Sequence, residues 1–417
     1  MEILEIIEDF KRECPCGKKH ETAVKDVRIA SGLVNRVGEI LSENGFSKNI
    51  LLVADKNTLK AADGIIDSLK SFNVEYKIYD DLRVATMDDV NSVEALIEGR
   101  DISVLSVGSG SINDTCRLSS ARQDKKLCIF ATAPSMDGFA SYSAPIVDGG
   151  FKSSYPAKSP EVIIGDTKIL ANAPTALKSA GFGDMIAKYV GLVDWQISAL
   201  LTGEFYCERI AALTRGAVDE LMEMADRVTV NDEYTAGKIF EALLKTGIGM
   251  SFAQNSRPAS GSEHVIAHLI ECVELRDGKI PNFHGEDVGV CTLEMLKYYS
   301  ELAKHDINAV REAVDWNDVY SFYGNMADDV RVLNEPENII DGVDEGELEA
   351  RWGEIKDIIR SVPDYETCKA AMIKAGCKIT VGDIEKPQTL FDDCVKYSPY
   401  MRKRLTLLRM KDMIKVI

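Results

Sequence analysis

Short apolar runs alternate with amphipathic ones through the first part of this chain, and that alternation restricts the fold more than any other feature. "NILLVAD" (Asn49–Asp55), "VEYKIYDD", "DISVLSVG" and "KLCIFATAPS" have the length and apolar content of buried strands. Between them, "NTLKAADGIIDSLKSF", "TMDDVNSVEALIEG" and "INDTCRLSSAR" carry apolar residues at helical spacing. Thr86 stands where an N-cap would, with acids in the turn that follows. Strand and helix in succession predict a parallel sheet covered by helices. "VDGGFKSSYPAKSPEVIIGD" predicts a hairpin excursion. From about Thr167 the pattern is mostly helical to the end, "YMRKRLTLLRMKDMIKVI" included. A chain of 417 residues is long for one core, so the change near Asp166 divides it into an α/β domain, 1–165, and a helical domain, 166–417. The cleft between two such domains is the expected place for a ligand.

The net charge is −18. That argues against a nucleic-acid or anionic-membrane surface, which needs clustered Lys and Arg, but leaves room for a small anionic ligand. No apolar run approaches the roughly 18 residues needed to cross a bilayer. "MEILEIIEDFKREC" lacks the basic start and apolar stretch of a signal peptide. The 10 cysteines then read as free thiols of a cytoplasmic protein.

"SVLSVGSGSINDTCR" places Gly108 and Gly110 between a strand and a helix. Glycine lets the backbone approach a ligand there, and the helix N-terminus offers free N–H groups to a pyrophosphate. The run is not G-x-G-x-x-G, so a tight turn explains it equally well. Asp55 closes an earlier strand, where a carboxylate would bond a ribose hydroxyl or simply cap a helix. In "TAPSMDGFAS", Thr132, Ser135, Asp137 and Ser141 stand at the C-terminal end of the sheet, where parallel sheets bind ligands.

Histidine is rare here, 5 in all, yet His264, His268 and His284 fall close together. His264 and His268 are one turn apart on one helix face, with Ser260 or Ser262 as a possible cap, and His284 begins another helix. Imidazoles from separate elements plus one carboxylate suit a catalytic divalent metal. Asp184, after Gly181 and Gly183 at an expected helix start, stands out as the acid, in competition with Glu263, Glu286 and Asp287. The order is not H-E-x-x-H, so the zinc-peptidase reading fails. "CPCGKKH" offers Cys14, Cys16 and His20, but no fourth partner is evident and no C-x-x-C pair occurs. A polar turn leading into the first strand accounts for it.

In order, the chain shows an Asp after a strand, G-S-G-S-I-N-D, T-A-P-S-M-D-G, G-F-G-D, S-G-S-E-H-x-x-x-H and F-H-G-E. That series resembles the dehydroquinate synthase-like and iron-containing alcohol dehydrogenase superfamily. Within it, the series is most similar to the sn-glycerol-1-phosphate dehydrogenases of the bacterial AraM type, whose N-terminal stretch "CPCGKKH" also resembles. The resemblance implies an α/β Rossmann-like N-terminal domain, an all-α C-terminal domain and an active site between them. It implies that Asp184, His264 and His284 hold one divalent metal ion, zinc or nickel. It further implies that His268, Asp137 and Asp184 contact substrate. Asp55, Gly110, Ser111, Ile112, Asn113, Asp114, Thr132, Ala133, Pro134, Ser135 and Ser141 would hold NAD(P). The implied reaction is reversible reduction of dihydroxyacetone phosphate to sn-glycerol 1-phosphate by a homodimeric enzyme. His268 or a water beside it would deliver the proton, since imidazole titrates near working pH. Lys188 and Arg257 lie in motifs where they would meet the substrate phosphate.

Three other readings compete. A glycerol or polyol dehydrogenase on the same fold would not need the phosphate. A dehydroquinate synthase-like cyclase needs more basic residues than the histidine motifs carry. A nucleotide-binding sensor has no evident use for the acid and histidines.

Overall fold

The computed structural model describes residues 2–417. Six parallel strands form the main sheet: β1 (Asp26–Ala30), β2 (Asn49–Asp55), β3 (Asn73–Tyr79), β4 (Ser103–Gly108), β5 (Leu127–Ala131) and β8 (Val162–Asp166). Their order is β1-β8-β5-β4-β2-β3. β6 (Ser143–Asp148) and β7 (Phe151–Pro156) make the expected antiparallel hairpin, turning at Gly149 and Gly150, both at positive φ. Every residue of β4 and β5 is buried. A strand covered on both faces needs a continuous apolar run, which "SVLSVG" and "LCIFA" supply. Alternation then sorts the side chains of β2. Leu51 and Val53 join one core with Ile129 and the N-terminal helix, Ile3–Phe10, while Ile50, Leu52 and Ala54 join another with helix Val37–Glu43. Thr86 caps helix Met87–Ile97 by accepting the Asp89 N–H.

Beyond Asp166 the chain is helical except for one short antiparallel pair, Ile307–Ala309 with Ile414–Val416, among the described residues. The two halves share a core. Phe240, Ile248, Phe252 and Trp195 of the helical half pack with Ile3, Ile7 and Phe10 and with the sheet. None of the helices described is long and apolar enough to cross a membrane.

The expected helices are corrected in three places. "NTLKAADGIIDSLKSF" breaks into Lys56–Ala61 and Ile65–Ser68, because Gly64 adopts positive φ between them. Gly181 and Gly183 lie inside helix Thr175–Ile186, not at a helix start. "YMRKRLTLLRMKDMIKVI" forms only short 3₁₀ turns and a terminal strand. One of its backbone N–H groups bonds outward to another element, which the interior of a regular helix would prevent, and two of its arginines bond distant residues. The Leu407 N–H donates to Asp194 Oδ1 at 2.8 Å, Arg404 binds Ser256 and Ser260, and Arg409 binds Asn334 and Asn338.

Candidate active site

β2 pairs with β3 on one side and β4 on the other, so the chain reverses its direction of winding between β2 and β4. Ligands bind parallel sheets at such a point. Asp55 ends β2 there. It caps helix Lys56–Ala61 by accepting the Thr58 N–H at 2.7 Å, and it also lines the cavity above the sheet. Helix Gly110–Arg122 starts directly after β4, with Gly110, Ser111, Ile112 and Asp114 on the cavity wall. Asn113 turns inward, its Oδ1 accepting from the Ser106 hydroxyl at 2.5 Å. Ser135 and Ser141 reach the cavity; Thr132, Ala133 and Pro134 lie outside its lining. Burial pushes the Asp114 carboxyl up to about 6, against the pull of Arg117.

The cavity, of about 540 Å³, continues from this glycine turn to His264, His268 and His284. Close helix packing brings its far end together. Helix Thr175–Ile186 crosses helix His284–Leu302 at Gly183 and Gly285, and a Cβ at either would collide with a backbone carbonyl of the other helix. Only glycine permits that approach, which sets Asp184 beside the start of the second helix. His264 lies in the first turn of helix Ser262–Arg276. Neither Ser260 nor Ser262 caps that helix from its N-terminus. Instead the distant Asp194 accepts the Ser262 N–H at 2.7 Å.

One donor atom each from Asp184, His264 and His284 falls within 4.8 Å of the others. His264 Nε2 is 3.3 Å from Asp184 Oδ1. Each imidazole is oriented through its other nitrogen, His264 Nδ1 by Glu263 at 2.6 Å and His284 Nδ1 by Glu271 at 2.9 Å. Carboxylate-held imidazoles are the usual surroundings of a metal ligand. Burial would raise the Asp184 carboxyl, but Lys188 and His264 outweigh it and hold the group ionised, far below the usual range. Burial also opposes ionisation of Glu271, yet Lys152 and His284 bring it down to about 2. The remaining competitors point elsewhere: Glu286 accepts the Phe283 N–H, and Asp287 bonds Asn282.

His268 is not grouped with this set. Its ring centroid lies 6.1 Å from that of His264 and 5.3 Å from that of His284, and it too faces the cavity. Burial, together with Lys152, His284 and Arg402, drives its pKa well below the ordinary 6.5. The ring is therefore neutral rather than poised to titrate near working pH. Its Nδ1 sits 3.4 Å from an Arg402 N–H donor, which assigns the ring hydrogen to Nε2.

The two expected phosphate cations are elsewhere. Lys188 is fully buried beneath the cavity, paired with Asp184 at 2.7 Å and Asp137 at 2.6 Å. Arg257 is buried against Glu204, Ser198 and the Leu405 carbonyl. Neither lines the cavity; Lys152 and Arg83 do. Lys152 bonds Glu271, and Arg402 bonds the Lys152 carbonyl at 2.7 Å. Sequence reasoning missed all three of Lys152, Glu271 and Arg402. Glu271 had a signal, since it continues the face of His264 and His268 by another turn. Lys152 and Arg402 had none, because a hairpin and an irregular tail deliver them.

The model of the iron-containing alcohol dehydrogenase family matches residues 28–174. A glycerol-1-phosphate dehydrogenase [NAD(P)+] from Halalkalibacterium halodurans is 28% identical over 95% of this chain and 94% of its own length. One of the same description from Methanosarcina barkeri is 33% identical over 65% of this chain and 76% of its own. Among solved structures, an NADH-dependent butanol dehydrogenase from Thermotoga maritima superposes with a TM-score of 0.60 at 15% identity, covering 93% of this chain and 92% of its own. At that identity the likeness speaks for the fold, while the sequence relatives and the site geometry carry the family. The chain belongs to the glycerol-1-phosphate dehydrogenases, within the iron-containing alcohol dehydrogenase family.

Proposed function

We propose that this protein reversibly reduces dihydroxyacetone phosphate to sn-glycerol 1-phosphate, using NADH or NADPH and one divalent metal ion. The observation that carries it is a single cavity that joins the glycine turn at the strand reversal to His264 and His284, whose donor atoms lie within 4.8 Å of the buried Asp184, with Lys152 on its wall. Asp184, His264 and His284 would hold the ion. A carboxylate and two carboxylate-oriented imidazoles suit zinc or nickel and leave a coordination position open. Such an ion supplies Lewis acidity to a substrate oxygen, and a nicotinamide supplies the hydride.

The chain's own groups do the rest. The N-terminus of helix Gly110–Arg122 faces the pyrophosphate, and Asp55 bonds a ribose hydroxyl with the face that its capping role leaves free. Ser111, Ile112, Asp114, Ser135 and Ser141 complete that wall. Asp137, anchored by Lys188, orients a substrate hydroxyl. Neutral His268 donates Nε2–H to the substrate and positions it. With its other nitrogen engaged by Arg402, the proton for the product oxygen arrives through a water beside it. Lys152, with Arg402 behind it, replaces Lys188 and Arg257 as the cation pair for the phosphate. We place the enzyme in the cytoplasm, where its unbridged cysteines would persist, and as a homodimer.

The test compares kcat/KM for dihydroxyacetone phosphate and dihydroxyacetone, with and without chelator, and identifies the product enantiomer. A preference for the phosphate on the order of 100-fold, abolished by chelation, is expected. Equal values for the two substrates would make the protein a polyol dehydrogenase instead.

A further inference from the structure

"CPCGKKH" lacks a fourth ligand in sequence, but the fold supplies one. Cys207 comes from the helical half to complete a ring with Cys14, Cys16 and His20, one donor atom from each lying within 4.8 Å of the rest. Cys14 Sγ and Cys207 Sγ are 3.7 Å apart, and His20 Nε2 lies 3.3 Å from Cys16 Sγ and 3.7 Å from Cys207 Sγ. A tetrahedral zinc with bonds of about 2.3 Å to sulfur and about 2.0 Å to nitrogen has edges of about 3.8 Å between sulfurs and about 3.5 Å from nitrogen to sulfur. Three of the ring's pairs, at 3.7, 3.3 and 3.7 Å, already lie near those edges.

Its surroundings fit as well. His20 Nδ1 lies 3.1 Å from the Phe252 carbonyl oxygen, to which it donates, so that Nε2 turns its lone pair toward the thiols. The Gly17 N–H donates to the Cys14 carbonyl at 2.9 Å, closing a turn that sets Cys16 beside Cys14. Cys207 immediately precedes helix Glu208–Met222, which carries it to the N-terminal segment. His20 and Cys207 are 1% exposed and Cys14 4%, and Phe10 and Phe252 stack against the cluster at 4.5 Å from each other. None of the four residues lines the active-site cavity.

We propose that Cys14, Cys16, His20 and Cys207 form a second metal site, a closed four-ligand zinc centre that fastens the N-terminal segment to the helical half. Four protein ligands fill a tetrahedral shell and leave no position for substrate, so the role is structural. The site is independent of the proposed reaction.

The experiment uses the full-length His284→Ala variant, whose open site is broken, expressed with zinc in the medium. Elemental analysis is expected to find one zinc per chain. X-ray absorption at the zinc edge is expected to give three sulfurs at about 2.3 Å and one nitrogen at about 2.0 Å. Cys207→Ser added to that variant abolishes the zinc. If the double variant does not fold, the single variant's metal content and absorption spectrum decide the matter without it. A zinc-free chain, a first shell without sulfur, or a Cys14–Cys207 disulfide in the purified protein would overturn the proposal.

Discussion

The two clusters differ in ligand count, chemistry and access. Asp184, His264 and His284 are three proposed ligands, the two imidazoles facing a cavity of about 540 Å³ with carboxylates behind both. Cys14, Cys16, His20 and Cys207 are four proposed ligands, mostly sulfur, with Cys16 part-exposed and the other three buried beside aromatic rings. Three ligands and an open coordination position are what a substrate oxygen needs; four ligands and a filled shell are what a cross-link needs. Composition alone does not tell them apart, because "CPCGKKH" looks more metal-like than any stretch around the histidines yet does not line the cavity. Access separates a catalytic centre from a structural one.

His284→Ala tests the contrast most severely. It should lower turnover by at least about 10³-fold, because Lewis acidity is worth several kcal/mol to the barrier. The cysteine centre should be untouched, whereas a variant with near-normal turnover would remove His284 from the catalytic set. Glu271→Gln comes next, measured by metal titration. It keeps the shape but loses the charge that orients His284, and should weaken the open site about 10- to 100-fold while sparing the closed one. An equal loss at both sites would mean a global folding defect. Asp55→Ala should raise the ratio of kcat/KM for NADPH to that for NADH by about 10-fold, one carboxylate repulsion being worth on the order of 1 kcal/mol. It should move neither metal, and an unchanged ratio would leave Asp55 as a cap alone.

His268 gives the smallest and most discriminating effect. Because its pKa is lowered, the unfolded chain takes up a proton below the ordinary 6.5 that the native ring refuses. Its contribution to stability is therefore full above that value and is lost progressively as pH falls toward the native value. Its ring ¹⁵N shifts should remain those of a neutral imidazole through the ordinary range. A midpoint near 6.5 would return it to the role of proton donor.

The α/β half was readable because buried parallel strands require continuous apolar runs and helices require spacing, both of which are local patterns. The pairing of His264 with His284, and the acid Asp184, were readable through motif order. The cations on the cavity wall were not, since Lys188 and Arg257 occupy the right motifs but turn away from the cavity, Lys188 to Asp137 and Asp184 and Arg257 to Glu204. Nor was the tail after Tyr400 readable: its apolar spacing suits a helix, while its N–H and guanidinium groups bond Asp194, Ser256, Ser260, Asn334 and Asn338 instead. Likewise the glycines before Asp184 look like a helix start and serve as close contacts, Gly181 with Pro134 and Gly183 with Gly285.

The sequence by itself determined the alternation that builds the sheet, the glycine turn at the end of β4, and the presence of rare histidines in motifs of one order. Those depend on neighbours a few residues apart. Only the tertiary structure decided which groups meet across long separations. Cys207 lies 193 residues from Cys14, and Lys152 lies 119 from Glu271. Side chains so far apart are joined by the packing of whole helices, and no local spacing records which face of a helix, or which turn of an irregular tail, that packing will bring against them.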